Sequence, residues 1–391
     1  MPFPQNAIII LSRRLLSSKH ADFLLLKKSG IFSEIIPEYS DRAHRLITNH
    51  PQAVYSGFDP TAPSLHLGHL LCIINLVRCQ RAGHNPIAVV GGATALVGDP
   101  SSSEFPKAID LRKQLSNEEI ISNSVRIQNN ILKIFENHQQ CIWNDKDKLL
   151  APVRILNNLQ WYESMNFVHF LSKYGRLFRV GEMMSRKCVK RRMETEVGMS
   201  YSEFSYQIMQ SYDWIHLFKK FNCKFQIGGH DQLGNIKCGA DAIRHHLKTD
   251  VYGLCVPLLT DKTGSKMSKS SGTAIWLDES QFSPFELYQH LRNTPDSELE
   301  KYLQWFTFLD DGERALILRE HKLHPERYVG QIKLAKAVVT LVHGANKLKE
   351  ALVCSEAIFN KSFDSLAHLD QRMANNIFKG LPKKSLNFRN G

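Results

Sequence analysis

Two histidines three positions apart, His66 and His69, are the first candidates for chemistry in this chain, and Gly68 lies between them. They open an apolar segment that runs to Arg81 and is predicted to be a helix. Positions i and i+3 share one helix face, so both imidazoles can face a single ligand. The N–H groups and the positive dipole end at a helix start suit a phosphate, and Gly68 leaves room for a flat base. Taken alone, this short pattern fits two surface histidines equally well.

A second candidate is the run Lys266-Met-Ser-Lys-Ser270, which is flanked by Gly264 and Gly272. Two lysines in a glycine-flanked, serine-rich loop can surround a triphosphate and stabilise the negative charge that develops during nucleotidyl transfer. The alternative is a solvated basic loop. The two patterns together favour a nucleotide site, because each adjoins a predicted strand at opposite ends of one alternating segment.

The elements that must position these residues alternate between strands and helices from Ala53 onward. Strands separated by helices predict an α/β fold with a Rossmann-like parallel sheet covered on both faces, and ligands then bind at the carboxyl ends of the strands. The apolar runs predict strands at 53–58, 86–92, 223–229 and 251–259, and helices at 66–81, about 117–136, 160–175, 182–195, 200–219 and 231–247.

After about residue 280 the strand patterns stop, which predicts a second, all-helical domain. Its predicted helices cover 285–291, 296–305, 311–321, 325–343 and 346–359. We therefore divide the chain into a leader at 1–21, a catalytic domain at 22–279 with a helical insertion at about 145–220, and a helical domain at 280–391 that ends in a basic tail.

The two short patterns resemble the paired signatures of class I aminoacyl-tRNA synthetases, in the right order and about 200 residues apart. Four longer segments are similar to the tyrosyl-tRNA synthetase family in particular, and the helices from Gly330 to Phe359 resemble its anticodon-binding domain. The segments are Tyr55-Ser-Gly-Phe-Asp-Pro-Thr-Ala-Pro-Ser-Leu-His-Leu-Gly-His69, Gly91-Gly-Ala-Thr-Ala-Leu-Val-Gly-Asp-Pro100, Ser205-Tyr-Gln-Ile-Met-Gln-Ser-Tyr-Asp213 and Gly228-Gly-His-Asp-Gln-Leu-Gly-Asn235.

The resemblance implies activation of tyrosine with ATP, followed by transfer to tRNA(Tyr). It places Tyr55 and Asp213 at the tyrosine hydroxyl. A buried carboxylate there would be left unpaired if phenylalanine bound, which opposes that substrate. The rest of the tyrosine site implied by the family is Asp59, Thr94, Asp99, Tyr206, Gln210 and Gln232.

The nucleotide site follows from the same resemblance. Asp231 and the backbone of Gly229 would hold the ribose, although an Asp at this position also fits a helix N-cap. The phosphates would meet Thr61, His66, His69, Lys266 and Lys269, with Gly68, Met267 and Ser268 beside the nucleotide. Mg²⁺ would arrive with ATP, and we expect no metal site built from protein ligands alone. No covalent nucleophile is implied, so catalysis would rest on positioning and charge stabilisation.

Three other functions stay open at this point. A tryptophanyl-tRNA synthetase shares the architecture, but Tyr55 with Asp213 favours a phenol. An RNA-binding protein derived from a synthetase would not need the intact histidine and lysine patterns. A small nucleotidyltransferase would share His-x-Gly-His and would lack the helical second domain.

Charge and composition indicate the partners and the compartment. The net charge is +12, which favours a polyanionic partner such as tRNA. The eight cysteines include no Cys-x-x-Cys pair, which argues against a zinc site and fits a reducing compartment. No apolar stretch is long enough to span a membrane. The first 21 residues carry Arg13, Arg14 and Lys19 with three serines and no acid, which is typical of a mitochondrial transit peptide. We therefore expect the mitochondrial matrix; the alternative is a frayed N-terminus of a cytosolic protein.

Two features depart from the family. The loop after Gly-Asp-Pro reads Ser101-Ser-Ser-Glu-Phe-Pro-Lys107, so only Lys107 is a candidate to close over pyrophosphate. The residues after Phe359 are too few for the small C-terminal RNA-binding domain of bacterial-type members. The basic tail is either a partial substitute that contacts phosphates or a disordered charged end.

Two surfaces complete the expectations. The aromatic-rich segment Phe167–Phe178 resembles the family's subunit interface and predicts a homodimer, the alternative being an ordinary core helix. On the predicted helix 182–195, Arg186 and Lys190 are four residues apart, as are Lys187 and Arg191. We expect this basic face to bind the acceptor arm of tRNA, the alternative being a solvated face.

The lysine run yields the first prediction. Lys266→Ala and Lys269→Ala should slow adenylate formation while leaving the dissociation constant for tyrosine nearly unchanged, because the charge they stabilise grows toward pyrophosphate in the transition state. Rapid-quench measurement of adenylate together with equilibrium tyrosine binding would test this. Equal losses in tyrosine affinity would show that the lysines support the fold or the amino-acid site instead.

Overall fold

A computed structural model describes residues 21–101, 115–145, 148–260 and 274–359. Several sequence expectations fall outside these residues: the leader, the loop with Lys107, the basic tail, and the run with Lys266, Met267, Ser268 and Lys269. The chain divides into two compact units. The first comprises residues 1–139 and 143–277, and the second comprises 140–142 and 278–391.

The first unit is built on a six-stranded sheet. Its strands are β1 (Glu34–Ile36), β2 (Ala53–Phe58), β3 (Asn85–Val90), β4 (Arg154–Asn157), β5 (Phe225–Gly229) and β6 (Tyr252–Val256). The spatial order is β1-β6-β5-β2-β3-β4, and only β1 runs antiparallel to its neighbour. The predicted α/β fold with a parallel core is confirmed. The sequence predicted parallel strands throughout, whereas β1, at one edge of the sheet, is antiparallel to β6.

The helices of the first unit cover the sheet. They are α1 (Asp41–Asn49), α2 (Leu67–Arg81), α3 (Gly92–Val97), α4 (Asn117–Asn137), α5 (Leu159–Tyr162), α6 (Phe167–Lys173), α7 (Val180–Met184), α8 (Lys187–Met193), α9 (Tyr201–Phe221) and α10 (Leu233–Leu247). Short 3-10 turns occupy Phe23–Lys27, Gly175–Leu177 and His230–Gln232, and a π-helical turn, His138–Ile142, follows α4.

Two helices expected in the insertion are each broken in two. The helix predicted at 160–175 is α5 and α6, because Asn166 takes an extended backbone and its side chain accepts a hydrogen bond from the His169 N–H. The helix predicted at 182–195 is α7 and α8, because Arg186 is extended between them. The insertion also contains β4, which pairs with β3 and so belongs to the sheet.

The central strands are apolar because both faces of a parallel sheet are covered. In β2 every residue except Gly57 is buried. Helix α2 packs on β2, β3 and β5, and eleven of its fifteen residues are buried. Its start therefore has a fixed position at the carboxyl end of β2, which is where the two histidines lie.

Residues 278–359 of the second unit form five α-helices. They are α11 (Pro284–Arg292), α12 (Asp296–Phe306), α13 (Asp311–Leu323), α14 (Val329–His343) and α15 (Ala345–Phe359). Capping boxes at Ser283 with Glu286 and at Asp310 with Glu313 begin α11 and α13. The helix predicted at 325–343 is shorter, because Pro325–Arg327 forms a 3-10 turn and Tyr328 is left-handed. Packing of α11 against α14 and α15 buries side chains such as Leu287, Leu291, Leu334 and Val338.

Candidate active site

A cavity of about 940 Å³ lies at the carboxyl ends of β2, β3, β5 and β6. Its wall also includes the start of α2, the segment from Gly91 to Asp99 and one face of α9. This is the edge at which open α/β sheets bind ligands. Every residue predicted for the tyrosine site contributes to the wall.

The two histidines begin α2 and cap each other. The His66 Nδ1 accepts a hydrogen bond from the Gly68 N–H at 3.1 Å, and the His69 Nδ1 accepts one from the His66 N–H at 3.2 Å. The imidazoles stack, with ring centroids 3.8 Å apart. Since both δ nitrogens accept, each neutral ring carries its proton on Nε2. Both residues line the cavity, so this arrangement supplies two N–H donors of fixed tautomer at a helix N-terminus.

A short antiparallel bridge holds this helix start from the other side. The Leu67 N–H donates to the Ile275 carbonyl at 2.9 Å, and the Leu277 N–H donates to the Leu65 carbonyl at 2.8 Å. Trp276, between them, lines the cavity and meets the His66 ring edge-on at 6.4 Å. Trp276 was not predicted from the sequence, because the residues that pair here are more than 200 positions apart.

Asp59, at the end of β2, receives two hydroxyl hydrogen bonds. Thr94 Oγ1 donates to one carboxylate oxygen at 2.7 Å, and Tyr206 Oη donates to the other at 2.7 Å. Burial raises the pKa of Asp59 to about 6, and the two hydroxyl donors oppose the shift. A Cβ on Gly91 would lie 1.9 Å from the Asp59 carboxylate, so glycine is required for this close approach.

Asp99 forms a second polar group with residues that follow β5. Gln232 Nε2 donates to Asp99 at 2.7 Å, and Ser101 donates through both its N–H and its hydroxyl. Asn235, on α10, donates to Asp99 at 3.4 Å and to Gln232 at 3.2 Å. The predicted residues Asp99 and Gln232 are thus joined directly, and Asn235 is an addition that the sequence analysis did not identify.

Asp213 lies at the floor of the cavity and is buried. Trp161 Nε1 donates to one carboxylate oxygen at 2.8 Å, and Asn158 Nδ2 donates to the other at 3.1 Å. Burial raises the pKa of Asp213 to about 7, while these donors act in the opposite direction. Asn158 is held in turn by the Ala93 N–H at 2.8 Å. Neither Trp161 nor Asn158 was predicted. Asn158 directly follows β4 and Trp161 lies in α5 just beyond it, and β4 itself was missed.

Tyr55 faces the same floor and is 2% exposed. Its hydroxyl has no hydrogen-bond partner among the described residues. Burial, and then the negative charge of Asp213, raise the pKa of Tyr55 well above its ordinary value. An unpartnered buried hydroxyl beside a carboxylate is a costly arrangement that a ligand hydroxyl can relieve.

The remaining predicted residues lie around the rim and wall. Gln210 lines the cavity one helical turn from Tyr206, and its Oε1 is buried without a partner within the described chain. Asp231 sits inside the turn His230–Gln232 and caps neither that turn nor α10. A Cβ on Gly229 would lie 2.3 Å from the Asp231 carboxylate. Thr61 and Gly68 also line the cavity.

The basic residues of α8 divide into two sets. Lys187, Lys190 and Arg191 are exposed, whereas Arg186 turns inward, packs beside Gly234 and has a buried Nε without a partner in the described structure. Arg192 is 7% exposed and pairs with Glu203 at 3.4 Å; both line the cavity.

Within the described residues, no group of three or more His, Cys, Asp or Glu side chains is placed to hold a metal ion. In the same part of the chain, no helix is long and apolar enough to cross a membrane.

A parallel sheet with stacked, capped histidines over a cavity at its carboxyl edge defines a nucleotide-binding α/β enzyme. The sequence matches the family described as tRNA synthetases class I (W and Y) over residues 48–360. It is 43% identical to the mitochondrial tyrosine–tRNA ligase of Drosophila melanogaster, covering 96% of this chain and 81% of that protein. The human mitochondrial tyrosine–tRNA ligase is 40% identical over 91% of this chain and 74% of its own length.

Among solved structures, a C-terminally truncated mitochondrial tyrosyl-tRNA synthetase from Aspergillus nidulans superposes with a TM-score of 0.78 at 31% identity. The match covers 89% of this chain and 97% of that one. The chain therefore belongs to the class I tRNA synthetases of the tryptophan and tyrosine group.

The raised pKa of Asp213 predicts how the ligand-free enzyme responds to pH. Because the folded-state pKa lies above that of the unfolded chain, this group's contribution to stability is full below about pH 4 and is lost as pH rises through about 7. Between pH 5 and pH 8 the loss should be roughly 2 kcal/mol. Denaturant unfolding of wild type and Asp213→Asn should therefore show a flatter pH dependence in the variant. Glu136→Gln, at an exposed site, is the control, and parallel curves for all three proteins would contradict the assignment.

Proposed function

We propose that this protein is a tyrosine–tRNA ligase, which activates tyrosine with ATP and transfers it to tRNA(Tyr). The observation that carries the proposal is the floor of the cavity. There a buried carboxylate, Asp213, is fixed by two N–H donors and faces the unpartnered hydroxyl of Tyr55. A phenol hydroxyl entering this space can donate to Asp213 and accept from Tyr55. The names of the relatives support the same reaction.

The other end of the substrate would meet the two polar groups nearer the mouth. A tyrosine ammonium fits Asp59, Tyr206 and the unpartnered Oε1 of Gln210, with Thr94 and Asp99 completing its surroundings. Gln232, which already donates to Asp99, can turn its amide toward the substrate carboxylate. Carboxylates partly buried in this way favour a cationic group, because its charge compensates for the hydration that they lose on burial.

The nucleotide would lie across the starts of α2 and α10. Asp231 and Gly229 would hold the ribose, and Thr61, His66 and His69 would contact the phosphates of MgATP; all five residues line the cavity. Lys266 and Lys269, with Met267 and Ser268, would complete the phosphate contacts. The tyrosine carboxylate attacks the α-phosphorus, the bond to the bridging oxygen breaks, and pyrophosphate leaves with the electron pair. The Nε2–H groups of the two histidines can donate to oxygens that gain charge during this step.

The competing functions fit the cavity less well. An indole has an N–H that can donate to Asp213 but no oxygen that can accept from Tyr55, so tryptophan would leave the buried Tyr55 hydroxyl without a partner. A protein that only binds RNA would not need the converging carboxylates or the capped histidine pair.

The proposal predicts which amino acid drives ATP–pyrophosphate exchange. Among all twenty, tyrosine should support exchange, phenylalanine should be a very weak substrate, and Asp213→Ala should abolish the tyrosine signal. The expected loss exceeds about a hundredfold, since a buried phenol loses a charged acceptor. Glu136→Gln serves as the matched carboxylate control. Exchange driven by tryptophan in place of tyrosine would overturn the function.

For the tRNA we propose the exposed face of α8, made of Lys187, Lys190 and Arg191, as a contact for the acceptor arm. The face expected from the sequence also included Arg186, which precedes α8, is only partly exposed and lies beside Gly234 of α10, so we leave it out of the proposed contact. The helical second unit is the proposed anticodon-binding domain. The names of the relatives and the composition of residues 1–21 support work in mitochondria, and we propose the matrix as the compartment.

We also propose a homodimer joined through α6. No residue of α6 is buried, which supports an interface there, whereas Tyr174 and Phe178 at the end of the predicted segment are buried in the core of the first unit. Phe167 is 66% exposed and Val168 is 70% exposed, and Val180 and Met184 nearby in sequence are exposed as well. Exposed large apolar side chains grouped along one segment are typical of an interaction site, and a two-fold interface uses the same patch twice.

If the protein is a homodimer joined through this patch, placing charged residues there should lower its molecular mass in solution. Wild type should have about twice the 44.7 kDa chain mass at micromolar concentration in light scattering. Phe167→Glu combined with Val168→Glu should shift it toward the monomer. Leu316→Glu, at a similarly exposed apolar site in the second unit, should leave the mass unchanged. A monomeric wild type would refute the proposal.

A further inference from the structure

Two residues on one face of α9 contact the indole of Trp161. Its Nε1 donates to Asp213, and its ring plane stacks on the imidazole of His216, with centroids 4.4 Å apart and planes at 16°. Asp213 and His216 are three residues apart on α9, so both project toward the same neighbour. The indole of Trp161 thus connects His216 to Asp213, the carboxylate that is proposed to recognise the substrate.

We propose that His216 is a positioning residue for recognition of the substrate hydroxyl. A hydrogen bond from an N–H to a carboxylate weakens steeply as its donor–hydrogen–acceptor angle departs from a straight line. The direction of the Trp161 N–H therefore decides how well Asp213 is held. The flat imidazole fixes the tilt of the indole, and thereby fixes the carboxylate oxygens against the phenol. This inference rests on the proposed function and adds a residue that the cavity wall does not contain.

The surroundings of His216 fit a neutral stacking role. Burial, followed by the charges of Lys220 and Lys219, lowers the pKa of His216. Tyr212, at 6.3 Å, is the other ring near it. A neutral imidazole is a planar partner that stacks on indole while its outer edge stays partly in water. Nothing in this arrangement requires His216 to move a proton.

A comparison of tyrosine with phenylalanine as substrates separates positioning from general structural support. His216→Ala should lower kcat/KM for tyrosine in ATP–pyrophosphate exchange about tenfold, because the fixed acceptor loses its orientation. The KM for ATP and the weak activity with phenylalanine should stay the same, so discrimination falls by the same factor. His216→Phe keeps a flat ring at the site and should restore tyrosine activity to within about twofold.

Two further measurements test the route through the indole. Trp161→Phe removes the N–H donor, so His216→Ala added to it should cause no further loss of discrimination, which is a non-additive cycle. His245→Ala changes an exposed histidine elsewhere in the unit and should match wild type.

Tyrosine-dependent ATP–pyrophosphate exchange by the wild-type enzyme tests the proposed function itself. The ratio of kcat/KM for tyrosine to kcat/KM for phenylalanine in the variants tests only the role of His216. Unchanged discrimination in a folded His216→Ala, equal losses for both substrates, or additive effects with Trp161→Phe would each overturn the proposal. Should His216→Ala fail to fold, wild-type discrimination in His216→Gln, which lacks a ring, would do the same.

Discussion

The arrangement of this active site depends on one buried carboxylate, Asp213. A charged oxygen in an apolar floor is expensive unless donors replace its hydration. Here Trp161 and Asn158 supply those donors from one segment, and that segment is anchored at β4 and at the Ala93 N–H. The position of β4 beside β3, the turn that follows it and the register of α9 all have to agree for this to occur. The pKa raised to about 7 shows that the donors only partly offset the cost of burial.

The start of α2 faces a different constraint, since a helix N-terminus has N–H groups that need acceptors. Serine or aspartate meets that need at several other helix starts in the described residues, among them serine at α9 and α11 and aspartate at α13. His66 and His69 meet it with their δ nitrogens. The bonds that complete the helix occupy both δ nitrogens, so a neutral ring at either position carries its proton on Nε2, and both residues line the cavity. The antiparallel bridge to Ile275 and Leu277 then ties this helix start to the chain that follows β6.

The sequence predicted these features unevenly, for physical reasons. The strands β2, β3, β5 and β6 have five or six residues that are nearly all buried, so apolar runs such as Ile87 to Val90 in β3 predict them. β1 and β4 are edge strands of three and four residues, too short to produce a pattern. The residues of the first signature lie close in sequence, and the resemblance found them. Asn158, Trp161 and Trp276 contact residues 52 or more positions away, and nothing local in the chain distinguishes them from ordinary packing residues. Arg186 illustrates the converse: helical spacing placed it on an exposed face, and an extended backbone at that position turned it inward.

Asp59, Asp99 and Asp213 are among the carboxylates that line the cavity, and their mutual repulsion adds to the effect of burial on the pKa values of Asp59 and Asp213. Without a ligand this arrangement is costly, which is the reverse of what stability alone would select. Under the proposed function, the cost is relieved by a molecule that carries a cation at one end and a hydroxyl at the other. A substrate that lacks the hydroxyl could still place its ammonium, yet it would leave the Tyr55 hydroxyl without a partner and the burial of Asp213 offset only by Trp161 and Asn158. Specificity in this site therefore arises from the penalty for an incomplete ligand more than from the strength of any one contact.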